Sequence, residues 1–188
     1  MKFRSILKIV VALGTSLIFT HAIAEEPTSK SYWDNWTPMI GASVASQHFG
    51  AKRDFNETNP GILLGFARPS RMFNAEFGVE GGVFRNSFDD TSAILGGWYE
   101  WPLVGEPDGP VGQLRLGFGF GYAQYPELVD RAKAFKALTV GEFVPYLTPQ
   151  ATWRITESLE IRSKFGPIID GDADFVMGFQ VFYRIPID

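Results

Sequence analysis

The chain has 188 residues, a net charge of −4, no cysteine, 20 glycines and 17 phenylalanines. The missing cysteines exclude a disulfide framework and a thiolate metal site, and the acidic balance argues against nucleic acid as a partner. Only 20% of residues are charged, and glycine and aromatic usage is high, which fits β-strands bordered by aromatic girdles better than a helical enzyme.

In chain order, Lys2, Arg4 and Lys8 precede an apolar run from Ile9 to Phe19 and a small-residue site, Ala22-Ile23-Ala24. This is the layout of a cleavable signal peptide. The run is too short for a spanning helix, so residues 1–24 are expected to be removed and residues 25–188 to form one domain. Eight stretches then read as strands: Thr37–Phe49, Gly61–Ala67, Phe73–Phe84, Thr91–Trp101, Val111–Tyr122, Tyr146–Ile155, Leu159–Phe165 and Phe175–Ile185. The clearest alternate strictly. Leu114, Leu116, Phe118, Phe120 and Tyr122 share one face, opposite Gln113, Arg115, Gly117, Gly119 and Gly121.

Eight is the smallest even strand number of a membrane barrel, and a soluble lipocalin-like barrel has the same number with apolar faces inward. Two features favour the membrane. Connections alternate short (70–72, 156–157) and long (50–60, 123–145), with 102–110 a longer turn than this rule prefers. Glu76, Glu80, Arg115, Arg154, Arg162 and Lys164 fall on faces that cannot meet lipid but can pair in a lumen. The expected fold is an all-β, eight-stranded antiparallel transmembrane β-barrel of the outer membrane. Tyr32, Trp33, Trp36, Trp98, Tyr99 and Trp101 are expected at the membrane boundaries as anchors.

The glycines at 117, 119 and 121 either leave room in the lumen for a slender acyl chain or let neighbouring groups approach closely. His48 and Asn86-Ser87 fall on one rim, where an imidazole and a hydroxyl could support acyl transfer. Asp89, Asp90 and Glu57 are candidates for the acid that orients the imidazole. Spacing alone favours a loop histidine and a turn serine. His48 is the one histidine beyond the signal peptide, so a histidine metal cluster is excluded and no metal or cofactor is expected. Lys52, Arg53, Arg85, Arg131, Lys133 and Lys136 lie in or beside the long loops, where cations can meet lipid A phosphates; Lys52, Arg53 and Arg85 are the leading candidates.

His48, then Phe55-Asn56-Glu57-Thr58-Asn59-Pro60-Gly61, Phe84-Arg85-Asn86-Ser87-Phe88 and Ala93-Ile94-Leu95-Gly96-Gly97-Trp98 resemble the lipid A palmitoyltransferase (PagP) family in order and spacing over about half the chain. The resemblance implies an outer-membrane barrel that moves a palmitoyl chain from a phospholipid donor to lipid A and holds it in an interior pocket. By position, His48 matches the family's essential histidine and Ser87 the serine of its Asp-Ser pair. Asn86 stands where the family has aspartate. Trp98 falls in the region of the acyl pocket, where its bulk would shorten the accepted chain. The protein is then a monomer working between phospholipid and lipid A, with a non-catalytic lipid-binding barrel and a lipid A deacylase as alternatives.

Overall fold

The computed structural model describes residues 35–186, apart from 53, 71, 135–136 and 168–174. The signal peptide and the anchors Tyr32 and Trp33 lie outside the described residues. The strands are β1 (Thr37–Phe49), β2 (Thr58–Pro69), β3 (Glu76–Arg85), β4 (Thr91–Val104), β5 (Gln113–Gln124), β6 (Phe143–Arg154), β7 (Leu159–Pro167) and β8 (Phe175–Arg184). Each pairs antiparallel with its neighbours and β8 returns to β1, closing an eight-stranded barrel. Closure leaves no edge strand.

All eight expected strands are present. The third begins three residues later than the alternation predicts, at Glu76, because Phe73 and Asn74 take left-handed backbone conformations (φ 58° and 52°) that turn the chain. The connections 70–75, 105–112 and 155–158 gather at one end of the barrel, here the turn end. The segments 50–57, 86–90 and 125–142 lie at the other, the loop end. The longest of these carries a 3-10 turn (Pro126–Leu128) and the short helix α1 (Val129–Ala134). Val129 and Ala132 pack there on Val144 of β6. No described helix is long and apolar enough to cross a membrane.

The barrel's polarity is inverted relative to a soluble domain. Ile62, Leu64, Leu95 and Val83 are 53–69% exposed on the outer wall. Glu76, Glu80, Glu100, Glu160, Arg115, Arg154, Arg162 and Arg184 are buried in the lumen. An apolar outer band that broad is stable against hydrocarbon and costly against water, so the barrel spans a membrane.

The lumen is layered. Nearest the turn end, Arg184 donates through both terminal nitrogens to Glu76 (2.9 Å each), and Arg154 donates to the same carboxylate (2.8 Å). Glu100 accepts from Gln150 (2.6 Å) and from Thr152. One layer on, Arg162 bridges Glu80 (2.9 Å) and Glu160 (2.7 Å), and Lys164 also donates to Glu80. The Arg162 guanidinium lies 3.9 Å from the Trp98 ring centroid and 4.5 Å from that of Phe182. Every lumen charge predicted from alternation is found inside and paired. Trp98 is a correction: it is fully buried in the lumen rather than anchored at the boundary, while its neighbours Tyr99 and Trp101 face outward and pack on Phe118. Odd and even positions of β4 face opposite sides, and Trp98 shares the inward parity of Glu100.

Candidate functional site

At the loop end of β1 the inward parity changes. Met39 and Ser43 face the lumen, a β-bulge interrupts pairing between Ser43 and Ala45, and beyond it Ser46 and His48 are the buried residues. A bulge adds one residue to one strand and so exchanges its faces. Without it, His48 would face lipid.

The His48 ring stacks on Phe55 (centroids 4.2 Å apart, planes at 8°), and Phe55 meets Phe88 edge-on at 5.8 Å. Glu57 accepts the His48 backbone N–H (3.0 Å) and the Gln47 amide (3.0 Å), and its Oε1 lies 3.8 Å from His48 Nδ1. Of the three acids offered by the sequence, Glu57 is the one beside the imidazole. Asp89 accepts from Asn56 (2.6 Å) and pairs with Arg85 (3.2 Å). Asp90 lies beside Glu127, whose carboxyl is raised above the usual carboxylate range by burial first and then by Asp90.

Ser87 reaches the same rim. Its hydroxyl is 3.3 Å from that of Ser46, two residues from His48 on the same inward face, and its carbonyl accepts the N–H of Asn56 (3.1 Å). These two bonds tie the segment after β3 to β1 and to the segment that follows it. The rim therefore brings His48, Ser46, Ser87 and Glu57 together. Ser46 was missed by sequence reading, because only the bulge turns it inward.

Asn86 holds its own loop. Fully buried, it accepts the N–H groups of Phe88 (2.8 Å) and Asp90 (3.0 Å) and donates to Ser92 (2.9 Å), which donates in turn to the carbonyl of Gln124 (2.6 Å). An Asn side chain that accepts the N–H two residues on is a turn-forming device. Tyr125, just beyond, is pushed up to about 12 by burial.

The glycines divide in function. A Cβ at Gly117 or Gly121 would strike the β4 backbone, at Tyr99 and Leu95 respectively, so both are sites of close strand approach. A Cβ at Gly119 would meet Gln150 at 3.1 Å. Room in the lumen lies instead at Gly178, where a Cβ would meet nothing within 4 Å, and at Gly166, where the nearest atom is 3.5 Å away on Thr148. Gly178 is the register partner of Ser46. Among the described residues, the Tyr146 hydroxyl, Thr148 Oγ1 and Gln180 Oε1 are buried without a hydrogen-bond partner on that same inner wall.

Pairing between β6 and β7 runs from Arg154↔Glu160 to Gln150↔Lys164 and stops, although both strands continue toward the loop end. Pro145 and Pro149 fall in or next to that unpaired part of β6, where proline has no N–H to offer a ladder. Arg85 is half-exposed at the rim; Arg53 lies outside the described residues, as do Lys136 and the side chain of Arg131.

No family model and no curated protein matches the chain. Among solved structures, the crystal structure of Neisserial surface protein A (NspA) is similar to it, at 9% identity and a TM-score of 0.39, covering 81% of this chain and 96% of that one. The chain stands on its own architecture, an inside-out eight-stranded barrel whose loop-end rim gathers a histidine, a carboxylate and two serines.

Proposed function

We propose that this chain is an outer-membrane acyltransferase that moves a fatty acyl chain from a phospholipid to lipid A. The observation that carries the reading is the placement of His48: buried, stacked on Phe55, with Glu57 3.8 Å from Nδ1 and the Ser46–Ser87 hydroxyl pair on the same rim. Glu57 favours the tautomer that carries its proton on Nδ1 and leaves Nε2 as the base. Nε2 takes the proton of the acceptor hydroxyl as its oxygen attacks the donor's ester carbonyl. Collapse of the tetrahedral intermediate breaks the bond to the glycerol oxygen, which receives the proton back from the imidazolium and leaves as a lysophospholipid. Ser87 is the hydroxyl that works with His48, through its link to Ser46. The unpaired stretch of β6 and β7 supports the reading as a place where a lipid chain can pass the wall.

Lipid A from cells carrying the intact chain should gain one acyl mass, and lipid A from cells carrying His48→Ala should not, with heat-dependent gel mobility showing both barrels folded. Transfer by the His48→Ala variant would overturn the assignment.

A second reading, a non-catalytic lipid-binding barrel, is favoured by one observation. Asn86 is wholly engaged in its loop, so no carboxylate occupies that position. Unchanged lipid A mass with either chain would select it, and a loss of mass would select a deacylase.

A further inference from the structure

On the outer wall, just below the rim, β2, β3 and β4 border a shallow, open groove of about 420 Å³ lined by Pro60, Gly61, Ile62, Val83, Phe84 and Thr91, with Arg85 and Asp89 at its loop end. Ile62 and Val83 form an exposed apolar floor, 64% and 53% accessible. Arg85 and Asp89 form an ion pair (3.2 Å) whose side chains are 56% and 61% exposed, so both charges remain open to a ligand.

We infer that this groove holds a zwitterionic phospholipid, with an acyl chain along Ile62 and Val83, its phosphate on Arg85 and its ammonium on Asp89. The charge pattern separates this occupant from a purely anionic one. The ion pair engages Nε of Arg85, and a guanidinium has five N–H donors, so its fork keeps capacity for a phosphate. Asp89 uses Oδ1 for both Arg85 and Asn56, and no described group bonds its Oδ2. A phosphoethanolamine headgroup places one charge of each sign a few bonds apart, as the site does. An anionic headgroup would meet the Asp89 carboxylate with no cation to offer it. Apolar floor and charged lip are arranged along the strands, the direction in which a lipid stands in a bilayer. The groove also adjoins the segment that carries Ser87. The inference does not depend on acyl transfer, because a non-catalytic barrel with this wall would hold the same lipid.

The test is native mass spectrometry of the purified full barrel in micelles, titrated with equal amounts of phosphatidylethanolamine, phosphatidylglycerol and lipid A. The intact chain should retain phosphatidylethanolamine about tenfold better than phosphatidylglycerol, or about 1.4 kcal/mol. Asp89→Asn tolerates the left-handed backbone at that position (φ 69°) and should erase the preference by losing the ammonium's partner. Arg85→Gln should weaken both phospholipids, and Val83→Trp should do so by filling the groove. Equal retention by the intact chain, a preference that survives Asp89→Asn, or stronger retention of lipid A than of either phospholipid would overturn the inference. His48→Ala should leave the binding unchanged, so loss of transfer and loss of binding are separately readable.

Discussion

Glu57 makes two kinds of contact with one residue: it caps the backbone N–H of His48 and faces its ring nitrogen. These can be separated chemically. Glu57→Gln keeps an oxygen that can accept the N–H but removes the charge that, in the proposed transfer, stabilises an imidazolium. Acyl transfer by Glu57→Gln should fall about ten- to a hundredfold, within the range of a general-base contribution. Folding and gel mobility should be unchanged. Rates of purified protein in phospholipid–lipid A micelles would measure this, and an unaltered rate would remove Glu57 from the machinery. Asn86 is the opposite case: its side-chain hydrogen bonds end within 86–92, so it shapes the segment that presents Ser87.

Among the elements, the 125–142 segment carries a raised carboxyl where it meets the segment after β3. Glu127 lies beside Asp90 of the segment after β3, and burial, then Asp90 and Glu142, hold its carboxyl above the usual range. A raised carboxyl keeps its proton in the folded loop at a pH where the unfolded loop has lost it. The folded form therefore binds more protons, and its added stability is complete below the ordinary carboxylate pKa and is lost as pH rises through the raised value. Amide protection over 125–134, corrected for intrinsic exchange rates, should decline as pH rises from acid through that window. Glu127→Gln should flatten the decline. Parallel profiles for the two chains would show that another group controls the loop.

At the scale of the whole molecule, stability rests on a charged lumen inside an apolar wall. Four carboxylates (Glu76, Glu80, Glu100, Glu160) face five cations (Arg115, Arg154, Arg162, Lys164, Arg184), and Arg162 joins the layers by bridging Glu80 and Glu160 beneath Trp98 and Phe182. Removing one partner of a buried ion network leaves its counter-charges uncompensated, at about 3–5 kcal/mol. Arg162→Met preserves much of the volume and should lower barrel stability by about that much, measured as a shift of the urea unfolding midpoint in micelles. A loss below about 1 kcal/mol would show that Lys164 and the other arginines take over its role.

Period-two alternation in eight stretches, the alternating lengths of the connections and the charges at Glu76, Glu80, Arg115, Arg154, Arg162 and Lys164 together made eight strands and a polar lumen legible in the sequence. A side-chain period of two is a local property, and charge cannot face hydrocarbon. His48 and Ser87 were also legible as rim residues, because strand length and loop order place them there. Only the tertiary structure decided the rest. The bulge after Ser43 reverses the faces of β1 and turns Ser46 and His48 inward, a register event set by pairing with β8 and β2. Glu57, rather than Asp89 or Asp90, lies beside the imidazole, and those two are engaged by Arg85, Asn56 and Glu127. The Gly117 and Gly121 positions press on β4 while the free space lies at Gly178, since what a bare backbone meets depends on the strand across the ladder. Alternation determines which side a residue faces; what it meets there is decided by strands far away in the chain.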